Sequence, residues 1–158
     1  MSKQVSQGRY QRSYFEGKKC EDKFVALMEA RGHLVTPATR SENMFKHIDF
    51  YVNNIGVDVK GNRHLDCIWL ELRNVRGNDG WLKGQAEFIV FDIEELSSFA
   101  FFKRADLLTF VEENVKEYAS SKADFMKFYT RAAWGKEDLL VKVRFDHIET
   151  LTFQLIGY

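Results

Sequence analysis

Proline is almost missing from this sequence: Pro37 is the only one in 158 residues, so no proline-rich linker divides the chain and one domain is the economical reading. Cysteine is nearly as scarce. Cys20 and Cys67 are too few and too far apart for a zinc cluster or a disulfide framework, and both are expected to be reduced thiols. An excess of one charge is missing too, since 23 basic and 23 acidic side chains cancel. That balance gives no support for nucleic-acid binding, although a groove can be basic while the opposite face is acidic. No apolar run has the length of a membrane span, and the first residues lack the apolar stretch of a signal peptide. A soluble cytoplasmic protein with no membrane partner is the expectation. Serine, cysteine and zinc chemistries lack their marks as well: no nucleophile-elbow pattern appears, and His33, His47, His64 and His147 have no ligand spacing.

Aromatic and apolar residues are plentiful, with 14 Phe and 45% hydrophobic residues, which is enough for a proper core. Residues 1–14 are polar and read as a flexible N-terminal segment. Lys3, Arg9, Arg12, Lys18 and Lys19 against Glu16 make the first nineteen residues either a solvated tail or a phosphate-touching arm. From about Phe15 to Arg31 the pattern turns helical, with Phe24, Leu27 and Met28 on one face and Gly32 as a stop. Three alternating runs follow. Ile48, Phe50 and Val52 share one side of the first, Ile55, Val57 and Val59 one side of the second, and Ile68, Leu70 and Leu72 one side of the third. After a glycine-rich connection come a buried strand at Phe88–Phe91, a strand over Ser98–Arg104 and an amphipathic helix over Ala105–Glu117 with Leu108, Val111 and Val115 inward. Runs 125–133, 139–145 and 150–156 read as strands or short helices. This order predicts an α/β domain over 15–158, with a mixed central β-sheet flanked by helices.

The chemistry concentrates in the first two strands. Asn53-Asn54 tolerates the positive φ of a tight hairpin turn. If these two form the loop, Val52 pairs with Ile55, Tyr51 with Gly56 and Phe50 with Val57. Asp49 then faces Asp58 with Cβ atoms ~5 Å apart, and His47 faces Lys60. Asp58 and Lys60 project from the face opposite Val57 and Val59. Two facing carboxylates repel, and a divalent cation converts that cost into a site. Hard oxygen ligands suit Mg²⁺, for which Mn²⁺ substitutes. Lys60 beside them would orient or help deprotonate a metal-activated water attacking a phosphodiester. The acid-x-Lys triplet alone is weak, because Glu16-x-Lys18 and Glu21-x-Lys23 also fit it; the strand context singles out Asp58-Val59-Lys60. The competing structural reading is a salt-bridged, exposed hairpin face.

A helix carrying acids, then His47-Ile-Asp-Phe-Tyr-Val52, then Val57-Asp-Val-Lys-Gly61, then Trp69-Leu-Glu-Leu72, resembles the PD-(D/E)xK nuclease superfamily over roughly residues 15–93. That superfamily includes restriction enzymes, Holliday-junction resolvases and phage nucleases. Ile48-Asp49 stands where its Pro-Asp element would be, and Asp58-Val59-Lys60 is the intact (D/E)xK element. The resemblance implies a restriction-endonuclease-like α-β-β-β-α-β core and DNA cleaved by in-line water attack to 5′-phosphate and 3′-hydroxyl ends. It implies metal held by Asp49, Asp58 and the Val59 carbonyl, with an acid from the preceding helix. Glu21 is the choice there, and Glu16 and Asp22 compete. A homodimer making paired cuts is compatible with it. The loop Gly77-Asn-Asp-Gly-Trp-Leu-Lys-Gly84 after Trp69–Leu72 resembles loops of phage proteins, which implies a phage-infected or bacterial cell as the setting.

Glu71, on the other face of the third strand, is a further candidate ligand or base if that strand pairs with the second. His47 is a further candidate beside the site. Arg63, Arg73, Arg76 and Lys83 supply positive charge for DNA, and Trp81 either stacks on a base or anchors its loop in the core. A nuclease-like protein that binds nucleic acid without cutting, and an RNA-directed nuclease, are the readings that compete.

Overall fold

Asn53 and Asn54 adopt φ values of 50° and 68°, the left-handed pair that a two-residue hairpin turn requires, and the hairpin they close seeds the central sheet. The computed structural model describes residues 2–158, and side chains from residue 14 onward except that of Asn62. Its elements are α1 (Ser2–Ala30), β1 (Val35–Pro37), α2 (Arg40–Lys46), β2 (Phe50–Val52), β3 (Ile55–Arg63), β4 (Ile68–Arg73), β5 (Phe88–Ile93), β6 (Ser98–Lys103), α3 (Arg104–Asn114), β7 (Phe128–Tyr129), β8 (Leu139–Val143), α4 (Phe145–Ile148) and β9 (Phe153–Gly157). Six strands form a mixed sheet in the order β1-β2-β3-β5-β6-β9, and β4-β8-β7 form a second sheet. Only β3 and β5 run parallel; every other named pair is antiparallel. The chain is a single α/β domain.

Alternation along the strands gives the central sheet two apolar faces. Phe24 and Met28 of α1 pack against Val57, Val59, Val90 and Phe99 on one. On the other, Ile89, Phe91, Ala100 and Phe102 meet α3 through Leu107 and Val111, and the second sheet through Ile68, Leu70, Val141 and Val143. Gly32, at φ 84°, ends α1 as the sequence predicts, with its N–H returned to the Glu29 carbonyl and that of His33 to Met28. Among the described residues no helix is long and apolar enough to cross a membrane.

Two expectations are corrected. Helix α1 starts at Ser2, not near Phe15, so its backbone takes in residues 2–14, where the sequence predicts a flexible segment. A stretch with Gly8 but no proline contains nothing that must break a helix. The side chains of Lys3, Arg9 and Arg12, candidates for a phosphate-touching arm, lie outside the described residues. The second correction concerns the meander. Its third member is the short β1, paired with β2, and not β4. A strand has two edges, and those of β3 are taken by β2 and β5. After the turn His64–Cys67, β4 leaves the sheet to pair with β8, burying Ile68, Leu70 and Leu72 from the second layer. Between β3 and its parallel neighbour β5 the connection therefore carries β4 and a 3-10 turn, Trp81–Lys83, instead of the α-helix the resemblance implies.

Candidate functional site

The hairpin register is the predicted one, with Val52 opposite Ile55, Tyr51 opposite Gly56 and Phe50 opposite Val57. The ladder stops there, one residue short of placing Asp49 across from Asp58. The Asp49 N–H donates to the Val57 carbonyl at 2.9 Å, and the Asp49 carbonyl accepts from Ala38 N–H at 3.0 Å. Strand β1 thus pulls residue 49 out of the hairpin line. The Asp49 side chain nonetheless turns to β3, where Oδ2 accepts from the Val59 N–H at 2.8 Å. Its other oxygen, Oδ1, accepts from Asn43 Nδ2 at 2.7 Å. Donors on both oxygens fix the carboxylate in place.

Asp58 is 2% exposed and shares a face with Lys60, opposite Val57 and Val59, as alternation demands. Burial, above all, raises its carboxyl pKa to about 7; the Asp49 charge adds to the rise, and Lys60 opposes it. Lys60 Nζ lies 2.9 Å from Asp58 Oδ1, an ion-pair distance. Oδ1 is buried, and the Lys60 ammonium is the charge that answers it. The Lys60 ammonium is also 5.1 Å from the ring centroid of Trp81, a cation–π contact that steadies its position.

Helix α1 brings Glu21 towards this pair. Its carboxyl pKa is raised first by burial and then by the charges of Asp49 and Asp22, against Lys18 and Lys60. Glu21 thus feels both Asp49 and Lys60. Glu16 lines a separate cleft with Lys19, Cys20, Lys23, Asp92 and Glu94, and Asp22 is exposed. Among the described residues no group of three or more His, Cys, Asp or Glu is assembled closely enough to hold a metal ion. The site is a two-carboxylate centre with a lysine, and Glu21 stands behind it. Such a donor set fits Mg²⁺, which keeps several waters and takes one or two carboxylates. A divalent cation held there would share Asp58 Oδ1 with the Lys60 ammonium.

The remaining sequence candidates disperse. His47 does not face Lys60: it caps α2 in the left-handed region, at φ 55°, and its Nε2 lies 3.0 Å from the Asp79 carbonyl. Because β4 joins the second sheet, Glu71 is not beside β3; it packs on Gly80, where an added Cβ would fall 2.6 Å from the Glu71 Cγ and carbonyl oxygen. Trp81 is 6% exposed and edge-on to Phe91 at 6.2 Å. No ring face is open to a base, so the anchoring reading holds and the stacking one does not. Arg73 Nε donates to the Glu137 carbonyl at 2.6 Å, while Arg76 and Lys83 are exposed on the loop. Val59 joins the site through its N–H, and Arg63 lies half-buried further along β3.

Asn43 is the site residue that the sequence reading misses. Its signal is the capping box Thr39-x-x-Glu42, in which Thr39 Oγ1 accepts from Glu42 N–H at 3.1 Å and Glu42 Oε1 from Thr39 N–H at 3.0 Å. That box starts α2 and sets Asn43 within reach of Asp49. The chain matches no protein-family model, no curated protein and no solved structure.

Proposed function

We propose that this protein is a divalent-metal-dependent nuclease that hydrolyses DNA phosphodiester bonds. The observation that carries the reading is the buried Asp58, which feels the charge of Asp49 and whose Oδ1 lies 2.9 Å from Lys60 Nζ. A carboxylate buried beside a second one, as Asp58 is beside Asp49, costs folding free energy. Retention of the pair with a lysine at the same point makes sense as a cation and phosphate site. The fold order supports the restriction-endonuclease-like reading. A long helix precedes a three-strand antiparallel meander, and the next strand of the sheet runs parallel to the last of the three.

In this reading Asp49 and Asp58 hold Mg²⁺ or Mn²⁺, with the Val59 carbonyl as the third protein ligand. When bound, the ion supplies Lewis acidity towards a phosphate oxygen and lowers the pKa of a water. Asn43 and the Val59 N–H hold the Asp49 carboxylate in one orientation. Lys60, steadied by Trp81, donates towards the attacking water and the charge developing on phosphorus. Glu21, its carboxyl pKa raised, exchanges a proton at the edge of the site. A second reading, a nucleic-acid-binding protein that does not cut, is favoured by one observation: the described acids do not form a group of three.

Plasmid, linear, single-stranded and four-way-junction DNA incubated with Mg²⁺, Mn²⁺ or EDTA decides between them. Metal-dependent cutting is expected, reduced at least ~100-fold in both Lys60→Ala and Asp58→Ala. Cutting untouched by either substitution overturns the assignment of residues. DNA bound but never cut, by a folded protein, establishes the second reading.

A further inference from the structure

The register of β3 against β5 slips by one residue beyond Lys60. Asp58 pairs with Ile89 and Lys60 with Phe91, but Arg63 pairs with Ile93, so three residues on β3 answer two on β5. A regular strand would have put residue 63 on the face of Val57 and Val59, beneath α1. The bulge returns it to the face of Asp58 and Lys60, which is also the face of Ile89, Phe91 and Ile93. Bulges re-aim side chains in this way.

At that position the guanidinium is tethered but unsatisfied. Arg63 Nη1 donates to the Gly61 carbonyl at 2.7 Å, and Nε is buried without an acceptor. Among the described residues Arg63 Nε is buried with no hydrogen-bond acceptor, while Asp58 Oδ1 is answered by the Lys60 ammonium at 2.9 Å. Arg63 and Asp58 have opposite polarity and lie on one face of one strand. Asp58 is also the strongest charge opposing the effect of burial on the guanidinium. A buried guanidinium nitrogen without an acceptor, on the face of the Asp58–Lys60 ion pair, describes a site for an anionic phosphate oxygen. The planar fork of arginine suits phosphate oxygens, and a fixed tether leaves it pre-organised for them.

We propose that Arg63 is a catalytic residue that binds a non-bridging oxygen of the reacting phosphate, on the face the β3 bulge gives it. The proposal rests on the nuclease reading above. The competing role is structural, with Arg63 serving only as counter-ion to Asp58.

Arg63→Met and Arg63→Lys, checked for folding by far-UV circular dichroism, separate these roles when tested on the DNA that wild type cuts best. Two oligonucleotides are compared, one normal and one with an uncharged methylphosphonate at the scissile position. For the normal strand, a 100-fold or greater fall in kcat is expected in Arg63→Met, with partial recovery in Arg63→Lys. Mn²⁺ affinity, titrated without DNA, is expected to stay within threefold. The methylphosphonate penalty seen in wild type should largely vanish in Arg63→Met, because the interaction it reports is already gone. Arg63→Met cutting within threefold of wild type overturns this proposal and leaves the nuclease reading standing. Loss of Mn²⁺ affinity in step with loss of cutting, or a full methylphosphonate penalty in the variant, also overturns it, in favour of the structural role. A wild type that cuts nothing overturns both.

Discussion

At the scale of single residues, two side chains set the electrostatic state of the site. Asp58 is buried where its ionised form is disfavoured, and its carboxyl pKa rises to about 7 from an unfolded value near ~4. The folded metal-free protein therefore binds a proton that the unfolded chain has released. This contribution to stability is complete below pH ~4 and is lost as the pH climbs through about 7. The expected slope, on the order of a few kcal/mol over that window, is isolated by subtracting Asp58→Asn from wild type in EDTA. The variant should gain relative stability as the pH rises from 4 to 8, and parallel stability curves would refute the assignment. Asn43 acts on the other carboxylate. Its amide holds Asp49 Oδ1 at 2.7 Å, so Asn43→Ala should weaken Mn²⁺ binding about 10–100-fold with little effect on melting. Unchanged affinity by titration would show that the Val59 N–H alone orients Asp49.

At the scale of elements, what was legible in the sequence followed from local rules. Asn53-Asn54 forces a two-residue turn, the turn fixes the register, and the register places Asp58 and Lys60 on one face. Helix α3 and strands β5 and β6 were legible for the same reason, since each buries a periodic apolar pattern. Strand β4 was legible as a strand but not in its partners: alternation at Ile68, Leu70 and Leu72 tells which face is apolar, never which neighbour it meets. Strand β1 and helix α2 are three and seven residues long, too short for periodicity to register. Those two move Asp49 off the hairpin line and supply Asn43. The site was thus readable in its strand residues and unreadable where short neighbours adjust it. The loop after β4 shows how a distant element supports the site. Gly80 lies so close to Glu71 that an added Cβ would sit 2.6 Å from its backbone oxygen and 2.8 Å from its carbonyl carbon. Gly80→Ala must displace the turn that seats Trp81 over Lys60. A destabilisation of ~1–3 kcal/mol is expected, together with lost cutting. A variant as stable and as active as wild type would show that Trp81 does not position Lys60.

At the scale of the whole molecule, the central sheet is shared by two clusters of buried residues, one on each face. Phe24 and Met28 of α1 close one face, while Leu70, Val141 and Trp81 belong to the other. Both cores draw on strands β5 and β6, so neither layer has a complete apolar surface without the other. Residues from both faces alternate along β5, with Ile89 and Phe91 on one side and Val90 on the other, all fully buried. Loss of either layer would expose half of that strand. Unfolding is therefore expected to be a single cooperative event in spite of the two sheets. Phe24→Ala, at a side chain with 0% exposure, should cost about 3–5 kcal/mol, and Leu70→Ala about 2–5 kcal/mol. Far-UV circular dichroism, which reports the 29-residue helix α1, and the fluorescence of buried Trp81 in a Trp69→Phe, Trp134→Phe background, which reports the opposite layer, follow the same urea titration. In this background, and with either variant added, the two midpoints should coincide and move together. A Phe24→Ala protein that loses helix signal at low urea while Trp81 stays buried would mean that α1 is a separable layer. Glu21 could then leave the site without the sheet coming apart.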